Sequence, residues 1–195
     1  MRIYGATILL LIGLACVSAC TSEYTPKPRG YFRIEFPEKN YRTYASNCPY
    51  SFEYPVYANI VPDSMGVVKP CWIDVKYPAM NGRIHLSYQA ISSKKMFNEL
   101  IEDSRSFAFR HTIKATAIDE ANITYPDKKV YGILYAIDGN TASSVQFFLT
   151  DSTKNYLRGA LYFNERPQLD SIQPVLDFIK KDIDVMIKTF KWHTK

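Results

Sequence analysis

The spacing of apolar and polar positions divides the chain into an unbroken apolar run, alternating segments, one helical segment, more alternation and a closing helical stripe. The apolar run, 8–14, is shorter than the ~20 residues a membrane-spanning helix needs. Period-two alternation predicts strands over 31–36, ended by Pro37, and over 50–61, where Pro55 implies an edge or bent strand. A third covers 71–77, with Trp72, Asp74 and Lys76 alternating against Ile73, Val75 and Tyr77. A fourth covers 83–91, with Ile84, Leu86 and Tyr88 on one face and Arg83, His85 and Ser87 on the other. Asp63-Ser64-Met65-Gly66 reads as a turn, and Asn81-Gly82 is the strongest hairpin signal in the chain.

At Ser92-Ser93 the period changes. Either serine can cap a helix over about 94–114, with Met96, Phe97, Leu100, Ile101 and Phe107 at helical spacing. Extended character returns over 115–125 and, after Pro126-Asp127-Lys128, over 129–137. A second hairpin pairs 144–150 with 155–163 around Asp151-Ser152-Thr153-Lys154. Asp170 or Ser171 then caps a last helix with Pro174 in its first turn, where proline is tolerated. Val175, Leu176, Ile179, Ile183, Met186, Ile187 and Phe190 form its buried stripe, and Asp177, Lys180, Asp184 and Lys188 its wet face. Strands, helix, strands, helix, without βαβ alternation, predict an α+β domain with a mainly antiparallel sheet covered by helices. In layout this resembles the PsbP/Mog1-like α/β/α sandwich.

Composition adds little to that picture. The chain has 195 residues, 47% of them hydrophobic and 22% charged, enough for one real core. Its formal net charge is +5, mild and without a clustered basic stripe, which argues against nucleic-acid partners. The N-terminus changes more. Arg2, the apolar run and Val17-Ser18-Ala19-Cys20 read as a secretory signal. The small residues ending at a cysteine resemble the lipobox of bacterial lipoproteins. That implies cleavage before Cys20 and acylation of its thiol, and several acyl chains hold a membrane far better than one. Residues 1–19 are then a signal peptide, 20–30 a lipidated, proline-containing tether and 31–195 one domain. Cys48 and Cys71 are the cysteines left, which in an exported chain suggests a disulfide, with a metal pair or a catalytic thiol as the rival readings.

Catalytic chemistry is hard to find. His85, His111 and His193 are scattered, without the spacing zinc requires. His85 reads as a surface strand residue and His111 as a charge partner for a helix C-terminus. Phosphate-loop and nucleophile-elbow motifs are missing, and nothing in the sequence pairs Asp74, Glu99, Asp119, Glu120 or Asp138. The reading is no enzyme, no cofactor and no metal. The segment Asp138-Gly139-Asn140-Thr141-Ala142-Ser143-Ser144 is the best candidate binding loop, against the simpler reading of a hairpin turn. The aromatic group Tyr41, Tyr44, Tyr50, Phe52, Tyr54 and Tyr57 is either a binding surface or a sheet face.

Collinear segments resemble the gliding-motility lipoprotein GldD family of Bacteroidetes. They are Cys48-Pro49-Tyr50-Ser51-Phe52, Cys71-Trp72-Ile73-Asp74-Val75-Lys76-Tyr77-Pro78, Lys129-Val130-Tyr131-Gly132, Gly139-Asn140-Thr141-Ala142-Ser143, Gln146-Phe147, Leu161-Tyr162-Phe163 to Pro167, and Lys180-Lys181-Asp182. The resemblance implies a cell-envelope lipoprotein needed for gliding and the linked type IX secretion system, with Cys20 lipidated and Cys48 paired to Cys71. It transfers no catalytic residue. The expected mode of action is protein binding at a membrane, with a small-ligand or glycan-binding lipoprotein as the alternative. Thr21 after the lipid cysteine favours the periplasmic face of the outer membrane over the inner membrane.

Overall fold

A computed structural model of the chain describes residues 34–63, 69–164 and 169–193. The signal, Cys20 and the tether lie outside the described residues, as do Tyr31-Phe32-Arg33, Ser64-Met65-Gly66 and 165–168, which include Pro167. Contacts divide the chain into 1–34 and 35–195, and the elements of the described residues lie in the second unit. No helix among the described residues is long and apolar enough to cross a membrane.

The strands are β1 (Tyr41–Tyr44), β2 (Tyr50–Pro55), β3 (Asn59–Pro62), β4 (Ile73–Tyr77), β5 (Gly82–Ala90), β6 (Ala115–Tyr125), β7 (Val130–Gly139), β8 (Val145–Thr150), β9 (Asn155–Phe163) and β10 (Lys191–Trp192). Among the described residues the α-helices are α1 (Lys94–Phe109) and α2 (Leu169–Thr189). Seven strands form one antiparallel sheet in the order β3-β4-β5-β9-β8-β7-β6, and β1-β2-β10 form a second. This is the α+β class that the pattern predicts.

Successive residues of a strand point to opposite faces, and each face of the large sheet has its own helix. Phe147 and Leu149 of β8 join Ile84, Leu86, Leu157 and Leu161 in a core closed by Leu176, Ile179 and Ile183 of α2. Phe148 points the other way, to Tyr135, Ile137, Tyr156 and Ala108 of α1. Phe147 is opposite Gly159 in the β8–β9 register, and a Cβ there would lie 2.2 Å from its ring. The glycine makes room for the phenylalanine.

Local signals explain most boundaries. The Ser93 hydroxyl accepts from the Met96 N–H at 3.1 Å and caps α1. Asn81 takes the left-handed conformation that the β4–β5 turn requires. Asp151 Oδ1 accepts the N–H groups of Thr153, Lys154 and Asn155 at 2.7–2.9 Å and closes the β8–β9 hairpin.

Several boundaries differ from the sequence reading. Residues 34–36 are not in a strand, and the first strand among the described residues is Tyr41–Tyr44. The stretch expected as one bent strand splits at Pro55: β2 is the middle of the small sheet and β3 an edge of the large one. A proline at a strand end lets the chain turn there, and the Ala58 N–H closes that turn on the Pro55 carbonyl at 3.0 Å. The first helix stops at Phe109 and tightens into a 3-10 turn, Arg110–Ile113. The last helix starts at Leu169, which puts Pro174 in its interior rather than its first turn.

The Cys48–Cys71 disulfide joins the loop before β2 to the loop before β4, with Cα atoms 5.5 Å apart, and so staples the small sheet to the large one. Fully buried Tyr50 adds to the join by donating its hydroxyl to the Cys71 carbonyl at 2.8 Å. The β10 strand pairs with β2, so the chain's end closes the same corner.

Candidate functional site

The expected binding loop spends its polar groups on itself. Thr141 and Ser143 are buried, and their hydroxyls donate to the carbonyls of Ser143 and Val145 at 3.1 and 3.2 Å. Gly139 has φ +106°, and a Cβ there would sit 2.5 Å from the Lys114 carbonyl, so the glycine serves the turn. Asp138 belongs to β7, opposite Ala117, and Asn140 is exposed. The geometry is that of a self-contained hairpin connection.

The aromatic group splits in two. Tyr50 and Phe52 are buried and stack with each other, while Tyr44 tilts against both and Phe190 stacks on Tyr50. These rings are core. Tyr41 and Tyr57 instead turn their hydroxyls to Asp182 of α2.

Asp182 is fully buried, and the sequence reading assigned it no role. It was nonetheless detectable, because a step of three from Ile179 and four to Met186 puts it on the apolar stripe of α2. Lys39 Nζ donates to Asp182 Oδ1 at 2.6 Å, to the Tyr57 hydroxyl at 2.9 Å and to the Phe178 carbonyl at 2.8 Å. Tyr41 donates to Oδ1 at 2.8 Å, and Tyr57 reaches both carboxylate oxygens. The ammonium also sits 3.3 Å from the centroid of the Phe178 ring, which stacks on Phe36.

Burial holds Lys39 below the ordinary lysine value, although Asp182 pulls the other way. Burial and Asp182 push the phenols of Tyr41 and Tyr57 well above the ordinary tyrosine value, and Tyr77 beside them is raised by the same causes. Every partner of the carboxylate is a donor, so it is held rather than poised to react. The cluster pins 39–41 and the turn after β2 to α2.

A second polar group lies on β4 and β5, where Asp74 and His85 are directly opposite. His85 is therefore more than a surface strand residue: its Nδ1 is 2.8 Å from Oδ1 of buried Asp74, and the Trp72 ring stands edge-on to it at 5.8 Å. Ligand atoms of Asp63, Asp74 and His85 lie within 4.8 Å of one another, close enough to converge on a cation. Arg83, 3.9 Å from the other Asp74 oxygen, already supplies positive charge there. The group is a network of two carboxylates, an imidazole and a guanidinium on and beside neighbouring strands. His111 lies in the turn that ends α1, where burial and then Arg158 lower its pKa. The His193 N–H donates to the Pro49 carbonyl at 2.9 Å, beside β10.

The best candidate for binding is where the large sheet outreaches the helix beneath it. A groove of about 440 Å³ runs between α2 and the outer strands β6 and β7. Ala121, Ile123, Leu134 and Ala136 line it from the sheet and Ile183 and Ile187 from the helix, with Lys180 and Asp184 supplying charge. Small side chains on the sheet leave the space open. Strand β6 ends the sheet order, and of its 11 residues only Ile123 is buried. An apolar groove beside an unpaired strand edge suits a peptide segment better than a reaction.

No curated protein matches the chain. Among solved structures, that of cyanobacterial PsbP (CyanoP) from Synechocystis sp. PCC 6803 is similar at TM-score 0.48 and 13% identity, over 86% of this chain and 99% of that one. The family model described as gliding motility lipoprotein GldD matches residues 21–192, from just after the lipobox-like cysteine to the end of β10. The chain therefore belongs to the gliding motility lipoprotein GldD family.

Proposed function

We propose that this protein is a binding component of the envelope machinery for gliding and the linked type IX secretion, acting by association rather than turnover. A lipid on Cys20 holds it at a membrane, the outer membrane facing the periplasm, through a tether spanning 20–30. The domain then meets its partners at the raised local concentration that confinement gives. The observation that carries the reading is the open groove between β6 and α2, an accessible apolar surface flanked by an unpaired strand edge. The glycan-binding alternative loses its surface, because Tyr50 and Phe52 are core and Tyr57 is engaged with Asp182.

Site-directed photocrosslinking tests this. A crosslinker at Ala121 should capture an envelope protein of the motility or secretion apparatus, and one at exposed Glu99 on α1 should not. Cys20→Ala should release the protein from the membrane fraction and abolish spreading and secretion. Normal spreading and secretion by a mislocalised Cys20→Ala protein would defeat the proposal.

A further inference from the structure

One exposed feature differs in kind from the rest of the surface. Where α1 ends, the turn Arg110–Ile113 projects before β6 begins. Ile113 at its tip is 94% exposed, by far the most of the large apolar side chains among the described residues, and Phe109 is 38% exposed. The turn is held in place. The Lys114 N–H donates to the His111 carbonyl at 2.9 Å, the Thr112 hydroxyl donates to the Phe109 carbonyl, and Gly139 packs against the Lys114 carbonyl from β7. Exposure of Ile113 is built in by these contacts.

Cations flank the apolar tip. The Arg105 guanidinium lies over the Phe109 ring at 5.2 Å and Arg110 over Phe107 at 4.9 Å, while Lys114 directly follows Ile113. Among the described residues, none of these three forms an ion pair. Acids are close, with Glu102 and Asp103 on α1 and Asp138 opposite Ala117, but among the described residues none is ion-paired to these three cations.

We propose that this tip is a membrane contact in its own right: Ile113 and Phe109 enter the headgroup layer of an anionic bilayer, and Arg105, Arg110 and Lys114 lie against its phosphates. The argument is complementarity of two kinds on one rigid turn. Water gains nothing by solvating a projecting isoleucine, whereas the acyl boundary accepts it. Basic side chains with long apolar stems can follow the tip inward while their heads stay at the phosphates. The contact would orient the domain on the surface that holds it. It is independent of the anchor assigned to Cys20, and it is tested on a chain that lacks the lipid.

The experiment is vesicle flotation of the full mature chain carrying Cys20→Ser. Phosphatidylethanolamine–phosphatidylglycerol vesicles are compared with phosphatidylcholine vesicles. The unacylated chain should float with the anionic vesicles and fall off them at high salt. Ile113→Glu should lower the partition about tenfold, and Lys114→Glu about fivefold or more, each basic group contributing measurably near an anionic surface. Both positions being on the exposed turn, thermal unfolding of the variants should match the parent. Equal binding to both vesicle types, or an Ile113→Glu variant that floats like the parent, would overturn the proposal. So would an Ile113→Glu variant that keeps its flotation but loses an envelope-protein crosslink, which would make the tip a protein contact.

Discussion

Consecutive residues of α2 lead opposite lives. Asp182 is sealed beneath Lys39, Tyr41 and Tyr57, while Ile183 and Asp184 line a groove with no element over it. On one side of the helix a polar group is buried with every partner supplied. On the other, exposed Ala121 and half-buried Leu134 and Ala136 border an open groove beside a strand edge. A domain under selection for stability alone would do the reverse, since a well-packed apolar group in place of a buried ion pair is often neutral or stabilising. The difference teaches which side holds the fold and which side is left for something else.

Mutations can break this contrast, the largest effect first. Asp182→Ala should destabilise the domain by about 3 kcal/mol, because it strands the lysine and both hydroxyls in partly buried positions. Urea unfolding reads the loss, and a change below about 0.5 kcal/mol, the range of ordinary surface substitutions, would mean that the cluster does not hold the fold.

Reduction of the Cys48–Cys71 bond comes next. A loop of this separation should cost about 3 kcal/mol when opened by the chain-entropy account. The loss should appear as a drop in denaturant midpoint on adding reductant, and Cys48→Ser should reproduce it.

Tyr57→Phe is smaller at neutral pH, about 1–2 kcal/mol for a hydrogen bond to a charged group. Its value lies in its pH dependence. Tyr41, Tyr57 and Tyr77 keep their protons in the folded chain at a pH where unfolded phenols, near 10, lose theirs. Their contribution is complete below about pH 10 and fades as the pH rises beyond it. Lys39 has the opposite sign, since the folded chain gives up that proton first, and it opposes the tyrosines. The parent should therefore lose stability above about pH 10 more steeply than Tyr57→Phe. Parallel alkaline limbs in denaturant titrations would contradict this.

Ala121→Arg should have the smallest effect on stability, within about 0.5 kcal/mol, because the position is exposed. It should nonetheless block the groove and abolish spreading. A stable, fully spreading variant would move the binding surface elsewhere.

Sequence legibility follows the same division. The β4–β5 and β8–β9 hairpins were readable because Asn81 and Asp151 carry local turn chemistry. The α1 start was readable from its serine cap. The strand at Tyr41–Tyr44 was not readable, because its alternation is short and its pairing depends on a partner strand across a turn. Asp182 looked like one more charge on a helix, and His85 like a surface residue, because nothing local announces a partner 143 residues away or on the facing strand.

By itself, the sequence determined the class of the domain, its hairpins, the stripe of its last helix and the family it resembles. These are local periods, caps, turns and motifs, which depend only on neighbours in the chain. Tertiary structure decided which tyrosines are core, where the lone buried carboxylate of α2 finds its donors, and where sheet and helix fail to cover one another. Those outcomes depend on residues far apart in sequence meeting in space, and their energies exist only once both partners have left water.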